Sequence, residues 1–362
     1  MRFDLTDFFQ NTTYFFIEQK IKMTYNYSGM SKFSNVLVTG GAGYIGSVLT
    51  RKLVLSKYNV KVLDSLIFGH DGISDLVSNN SVKLFVDDIR NKKTITDVLK
   101  DVDCVIHLAA IVGDPLCSKI PKAAKQINEF ATKHIIDSCK KAGVQRFIFA
   151  STCSNYGSAL GIVNEDTSLE SLSLYSETKV KSEFNILNSQ ARNFEPCILR
   201  FATAYGLSPR MRFDLLLQEF IRDALVDKKI SIFGPNHWRP LVHVDDIASS
   251  CIIAIEKSGN ISGEVYNVGD NEQNYTKKDL AKIVQKHIPS STVEITESKQ
   301  DPRNYKVSFD KIRKKLNFKV SKTVEDGISE ILNKIKNREL DPRDSEFSNL
   351  SKAIESVKAF PV

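Results

Sequence analysis

The order of motifs in this chain predicts an α/β fold: a doubly wound parallel sheet with a smaller, discontinuous C-terminal lobe. Three observations carry that prediction. Short apolar runs alternate with stretches of helical spacing. The first of these runs opens directly into a glycine-rich turn. The ends of successive runs carry acids, glycines and hydroxyls, the residue types that gather where the carboxyl ends of parallel strands meet a ligand.

The first run is Asn35-Val-Leu-Val-Thr-Gly-Gly-Ala-Gly-Tyr-Ile-Gly-Ser47. Val36 to Val38 suit a strand buried on both faces, and from Tyr44 onward the spacing turns helical. Gly40, Gly43 and Gly46 form G-x-x-G-x-x-G. Glycine there permits a tight turn, a close approach of backbone to a pyrophosphate, and packing of the helix on the strand. The helix start offers unpaired N–H groups and a partial positive charge to phosphate. Val60-Lys-Val-Leu-Asp64 is the next strand. Asp64 closes it about twenty residues on, where a carboxylate binds ribose hydroxyls and repels a 2′-phosphate. No Arg follows at Ser65 or Leu66, so NAD is favoured over NADP.

Further strands are expected at Val82–Val86, running into Asp87-Asp88-Ile-Arg-Asn91, and at Cys104–Ala110, Arg146–Ala150 and Glu195–Arg200. Ala123 to Ala142 reads as a helix. Leu241–Val244 begins a short strand, followed by a helix that Asp245 is expected to cap. Gly263–Val268 returns to the sheet. Right-handed connections then bring the residues after Val38, Asp64, Val86, Leu108 and Ala150 to one crevice. On this reading, residues 30–206, with 236–270 returning, form the sheet domain. Residues 207–235 and 271–338 form a lobe covering the crevice, and 339–362 a polar, loosely attached tail.

The chain has 362 residues, 42% of them hydrophobic, ample for a large core. Its net charge of +7 is spread among interspersed acids, with no basic tract interleaved with aromatics, so nucleic acid is a poor partner. No apolar run is long enough to span a bilayer, and no membrane partner is expected. Six scattered cysteines without a C-x-x-C pair read as buried free thiols in a reducing, cytoplasmic compartment. No His/Cys/Asp spacing suggests a metal. Residues 1–29 mix eight aromatics with charges and lack a signal-peptide core. They read as an extension outside the fold, with an amphipathic partner-binding helix as the alternative.

The chemistry gathers in two places. Ser151-Thr-Cys-Ser-Asn-Tyr-Gly157 follows a strand, so its hydroxyls should face the crevice. In Tyr175-Ser-Glu-Thr-Lys179 the phenol and the amine are four residues apart and share one helix face. A phenol of ordinary pKa, about 10, is a poor base at neutral pH. A neighbouring ammonium favours the phenolate, and the cationic nicotinamide ring adds to this. Such a tyrosine takes a proton from an alcohol while hydride leaves the same carbon, with a Thr or Ser hydroxyl orienting the substrate.

Together these features resemble the extended short-chain dehydrogenase/reductases, in particular the NAD-dependent nucleotide-sugar epimerase/dehydratase family. Thr39–Gly46, Asp64, Asp88-Ile-Arg90, His107-Leu-Ala-Ala110, the Thr152 cluster, Tyr175/Lys179 and Arg239-Pro-Leu-Val-His-Val-Asp-Asp246 match its pattern in order, from roughly Lys32 to Val320. The resemblance implies a Rossmann domain, tightly held NAD, a nucleoside-diphosphate sugar substrate and a homodimer formed through the Tyr175 and Ala123 helices. It puts Gly40, Gly43, Tyr44, Ile45, Gly46, Asp64, Asp88, Ile89, Leu108, Ala109, Ala110 and Asn128 at the cofactor. It makes Thr152, Tyr175 and Lys179 catalytic, with Tyr175 and Lys179 also touching the cofactor, and assigns Arg239 to the substrate diphosphate. Arg303 is a second arginine for the diphosphate or the base, and Arg210 or Arg212 a further substrate contact. His107 and His243 read as structural.

Departures narrow the reaction. Dehydratases of this family carry Asp-Glu directly after the catalytic Thr, where this chain has Cys153-Ser154. Many 4-epimerases have Asn where Thr203 stands in the substrate-facing segment and Lys where Val112 stands. The implied activity is epimerisation by transient oxidation at sugar C4. A 4-keto reductase or C4 dehydrogenase is the alternative. A dehydratase and an idle NAD-binding regulator stand further off.

Overall fold

The computed structural model describes residues 32–257, 261–296, 302–349 and 352–353; the N-terminal extension lies outside the described residues. In chain order the strands are β1 (Asn35–Thr39), β2 (Asn59–Asp64), β3 (Val82–Val86), β4 (Cys104–His107), β5 (Arg146–Thr152), β6 (Ser158–Val163), β7 (Glu195–Phe201), β8 (Thr203–Tyr205), β9 (Lys229–Phe233), β10 (Trp238–His243), β11 (Glu264–Val268), β12 (Asn274–Thr276), β13 (Thr292–Thr296) and β14 (Asn304–Val307). Seven of them form a parallel sheet in the order β11-β7-β5-β4-β1-β2-β3. The strand order reverses between β1 and β4, which opens a crevice at their carboxyl ends.

The principal helices are α1 (Tyr44–Leu55), α2 (Lys92–Val98), α3 (Asp114–Lys119), α4 (Thr132–Ala142), α5 (Leu174–Leu187), α6 (Leu216–Val226), α7 (Val244–Glu256), α8 (Lys277–His287), α9 (Asp310–Leu316) and α10 (Val324–Lys336). Val36, Val38, Val60 and Val62 face one side of the sheet, with Leu49 and Leu53 of α1 and Ile247 of α7. Leu37, Leu63, Val105 and Phe147 face the other, with Ile135, Ile136 and Cys139 of α4. Burial of both rows of each strand explains why the sequence shows uninterrupted apolar runs rather than alternation. All six cysteines are buried free thiols.

Three elements differ from the sequence reading. The strand expected over Cys104–Ala110 stops at His107, because Leu108–Ala110 leaves the sheet to wall the crevice. The helix expected over Ala123–Ala142 is interrupted by a π-helical segment at Gln126–Ala131. The strand read at Leu241–Val244 is β10, which pairs in a small β12-β10-β8 sheet instead of the central one. Its following helix is capped by the side chain of His243, which accepts from the Asp245 N–H at 3.2 Å; Asp245 is not the cap. His243 is itself buried and meets Glu330 at 3.1 Å, fastening β10 to α10.

The lobe is assembled from short pieces. β9 pairs with β13, and β14 reaches back to β6, so Arg303, beside β14, is carried to the crevice mouth. The tail, expected to be loose, is docked in its first part. Phe347 packs edge-on against Phe213 with ring centroids 6.0 Å apart, and its carbonyl accepts from the Phe213 N–H at 2.8 Å. Leu340 also packs against the core, and the Asn349 N–H donates to Asp214 at 3.2 Å, so a few anchors seat an otherwise polar segment.

Candidate active site

A crevice of about 500 Å³ opens above the switch point of the sheet. Its floor is the β1–α1 turn. Gly40 has φ +73°, and a Cβ there would stand 2.8 Å from the Ala109 backbone nitrogen. A Cβ on Gly46 would stand 2.1 Å from the Gly40 carbonyl oxygen, so the helix and the turn touch backbone to backbone. Gly43 precedes α1 with no side-chain cap and no acid in the first turn. The helix start is therefore left for an outside anion.

Asp64 accepts from the Ala42 N–H at 3.0 Å and the Leu66 N–H at 2.9 Å, bracing this turn while still lining the crevice. Burial pushes its carboxyl above the ordinary value. Asp88 is gripped by Arg90, whose Nη2 lies 2.9 Å from Oδ2. Ile89 and Leu108–Ala110 complete this wall, held by Thr39, whose hydroxyl accepts from the Ala109 N–H at 3.3 Å and meets His107 at 2.7 Å. Burial drives His107 down to about 3, so it is a neutral hydrogen-bonding strut.

Asn128 departs from the expectation. It does not line the crevice. It is buried behind it, where its amide accepts from the Ile111 N–H at 2.8 Å and donates to the Ile111 carbonyl at 2.9 Å. In the structure it braces the Ile111 backbone behind the wall.

At the other end, β5 delivers Thr152 and α5 delivers Tyr175 and Lys179, all lining the crevice. Thr152 caps the turn after its strand, its hydroxyl accepting from the Ser154 N–H at 3.1 Å. α5 begins with a capping box at Ser173. Behind it, Glu183 receives the Arg200 Nη2 at 2.7 Å and the Ser151 hydroxyl, tying α5 to β5 and β7 in the dry interior. Lys179 donates to the Ala150 carbonyl at 2.7 Å, and its Nζ lies 4.6 Å from the Phe149 ring centroid.

The electrostatics differ from the expectation. Burial raises the Tyr175 pKa, with Cys117 and Asp114 adding to the rise and Arg212 and Arg303 opposing it. Burial also lowers Lys179 to about 8. The ammonium lies 6.0 Å from the Tyr175 ring centroid and so does not outweigh the loss of water around the phenol.

The arginines form the roof. Arg239 is 3% exposed and donates to the carbonyls of Trp238 at 2.7 Å and Arg303 at 2.6 Å. Arg303 pairs with Asp114 at 3.0 Å and donates to the Ser154 hydroxyl at 3.3 Å. Thr203 lies on the crevice wall. Arg212 is bound through two nitrogens to Asp214, at 2.9 Å each. Arg210 is 7% exposed, stacks 4.8 Å from the Phe68 ring centroid, and keeps a buried Nη2 without a hydrogen-bond partner. The sequence offered Arg210 and Arg212 only as unranked candidates, and it gave no signal for Phe68, Asp114 or Asn349, which also line the crevice.

The sequence matches the NAD dependent epimerase/dehydratase family over residues 36–269. The chain belongs to that family. It is 30% identical over 307 residues to an uncharacterized UDP-glucose epimerase of Bacillus subtilis, covering 81% of this chain and 95% of the relative. It is 29% identical to a putative UDP-glucose 4-epimerase of Methanocaldococcus jannaschii, covering 83% and 98%. Its fold is similar to the UDP-glucuronic acid 4-epimerase of Bacillus cereus in complex with UDP-glucuronic acid and NAD. The TM-score there is 0.77 and the identity 29%, over 84% of this chain and 99% of that one. The UDP-glucose 4-epimerase of Thermotoga maritima with UDP-glucose gives 0.75 and 25%, over 84% and 100%.

The family is NAD-dependent, and the crevice suits that cofactor. The glycine floor admits no Cβ at Gly40 or Gly46, the helix start is uncapped, and Arg210, on the crevice lining, keeps a buried guanidinium nitrogen without a hydrogen-bond partner. Among the described residues no group of three or more His, Cys, Asp or Glu could hold a metal, and no helix is long and apolar enough to cross a membrane.

Proposed function

We propose that this family member is a cytoplasmic C4 epimerase of a UDP-linked sugar. The observation that carries the reading is the meeting of Thr152, Tyr175 and Lys179 in the crevice that the glycine turn floors. The names of the similar proteins support uridine as the nucleotide. Gly40, Gly43, Tyr44, Ile45, Gly46, Asp64, Asp88, Ile89 and Leu108–Ala110 would hold NAD, which supplies a hydride acceptor and donor when bound. Arg239 and Arg303 would clamp the substrate diphosphate, and Thr203 would face the sugar.

The Thr152 hydroxyl orients the C4 hydroxyl, and Tyr175 Oη takes its proton. Burial alone keeps Tyr175 protonated; the Lys179 ammonium beneath Ala150 together with the cationic ring of bound NAD would favour the phenolate. Once the sugar turns its other face, Tyr175 returns the proton and the epimer leaves. Elimination is disfavoured because no carboxylate follows Thr152: Cys153 is buried with its thiol pKa raised, and Ser154 is engaged by Arg303.

The test is a screen of UDP-, dTDP-, GDP- and CDP-sugars for isomerised product, with absorbance followed near ~340 nm. Product without net cofactor reduction is expected; stoichiometric release of oxidised or reduced cofactor would point to a dehydrogenase or keto reductase instead. Tyr175→Phe is expected to lower kcat by roughly 10²–10⁴-fold while NAD stays bound, the range for a lost proton carrier. Full turnover in that variant would end the mechanism.

We also propose a homodimer. Phe130, in the π-helical segment, and Phe184, on α5, are 59% and 68% exposed, large apolar groups with no cover in the single chain. Sedimentation should show a dimer, and the Phe130→Glu/Phe184→Glu pair should give monomers.

A further inference from the structure

The similar solved structures hold UDP-glucose in one case and UDP-glucuronic acid in another, two sugars that differ by a C6 hydroxymethyl against a carboxylate. We propose that Asp114 makes this crevice prefer a neutral or amino-bearing sugar over a uronate; the proposal rests on the nucleotide-sugar reading above.

Asp114 is fixed by its backbone. Gly113 adopts φ +94°, a conformation that suits glycine, and Pro115 follows in the first turn of α3. One carboxylate oxygen accepts from the Ser173 hydroxyl at 2.5 Å, at the cap of the helix that bears Tyr175. The other meets Arg303 at 3.0 Å, through the same nitrogen that donates to Ser154 at 3.3 Å. The carboxylate therefore stands between the Tyr175 helix and the Thr152 turn. Its side chain remains 23% exposed on the crevice side. Tyr175 registers its charge as a rise in pKa, after the larger effect of burial.

The other crevice cations are engaged away from Asp114: Lys179 donates to the Ala150 carbonyl, and Arg239 to the carbonyls of Trp238 and Arg303. Arg212 is taken by Asp214 through two bonds. Arg210 lies toward Asp64, at the cofactor end. Arg303 either stays with Asp114, its charge matched, or turns to the substrate diphosphate and leaves Asp114 facing the sugar. In the second arrangement a uronate brings like charge against Asp114, whereas a hydroxyl or ammonium donates to it.

The experiment is calorimetric titration of the NAD-loaded protein with UDP, UDP-glucose and UDP-glucuronic acid. The wild type should bind UDP-glucose at least roughly tenfold more tightly than UDP-glucuronic acid, the scale on which an unpaired charge discriminates. Asp114→Asn should bring the two within about threefold, by tighter uronate binding over and above whatever change UDP alone shows once Arg303 loses its partner. Asp114→Glu, which keeps the charge, should keep the preference. Equal or tighter uronate binding by the wild type overturns the proposal without touching the epimerase reading. So does an unchanged ratio in Asp114→Asn. Failure of UDP to bind at all overturns the nucleotide-sugar reading, and this inference with it.

Discussion

The two ends of the crevice are built by different means. The cofactor end is mostly backbone: a turn without Cβ atoms, an uncapped helix start, and a wall of Leu108–Ile111 held at Ala109 by Thr39 and at Ile111 by Asn128 through peptide groups. The sugar end is mostly long side chains, with Tyr175, Arg212, Arg239 and Arg303 arriving from four separate elements or loops and meeting acids on the way. Backbone surfaces have almost no tolerance, since a single methyl group has nowhere to go. Side-chain surfaces can be retuned by exchanging one charged group for another. The cofactor should therefore be the shared feature of this family and the sugar the variable one.

The most damaging change is predicted at the cofactor end. Gly46→Ala would set a methyl group 2.1 Å from the Gly40 oxygen and 2.7 Å from Gly41 Cα, both backbone atoms that cannot rotate away. Loss of about 3 kcal/mol of stability, the upper range for overpacking, and loss of bound NAD are expected together. Gly43→Ala is the control for stability only, because its nearest protein neighbour would be a single oxygen at 3.4 Å, while its place at the cofactor turn leaves NAD content to fall in both variants. Thermal melting distinguishes the two, and the NAD content of purified protein checks the shared loss. Equal stability in both variants would mean that the floor is not rigid.

The sugar end offers the opposite trade. Lys179 is 3% exposed, and burial lowers its pKa from 10.5 to about 8. Between those values the unfolded chain binds more protons than the folded one, so this residue makes stability rise with pH from about 8 to 10.5, and its full penalty applies below 8. Lys179→Met should therefore stabilise the cofactor-free protein at pH 7, by up to about 3 kcal/mol at 1.36 kcal/mol per tenfold change in acidity, while removing activity. The gain should shrink toward zero as the pH approaches 10.5. A variant that melts lower than wild type at pH 7 would show that the contacts to Ala150 and Phe149 outweigh the cost of burying the charge.

The same contrast explains what could be read from the sequence. The glycine turn, Asp64 and the Tyr175–Lys179 spacing are local patterns, each complete within a few residues, and all of them line one crevice. The parallel sheet followed because burial on both faces leaves continuous apolar runs; the strand order itself came only with the structure. Asn128 could not be placed, since a buried amide serving the Ile111 backbone looks in sequence like one serving a ligand. The direction of the Tyr175 shift was hidden because it depends on burial and on the nearby Cys117 and Asp114, surroundings assembled only on folding. Asp114 itself gave no signal; its meaning comes from Arg303, which is 189 residues away along the chain.

Arg210 sits where the two ends meet, and it tests the contrast most finely. It comes from the lobe, as the sugar-side groups do, yet it stacks on Phe68 in the loop after Asp64 and interacts with the Asp64 charge. Its buried Nη2 has no protein partner, and a charge-assisted bond to a cofactor phosphate would satisfy it. Arg210→Met keeps the stem against Phe68 and removes the fork. Retention of NAD on gel filtration should fall roughly tenfold, equivalent to about 1.4 kcal/mol, with UDP affinity unchanged and the cofactor-free protein melting no lower than wild type. The reverse outcome, weaker UDP-sugar binding with NAD intact, would move Arg210 to the sugar side. Side-chain chemistry alone would then have to account for that end, and the cofactor end would be backbone with almost no exception.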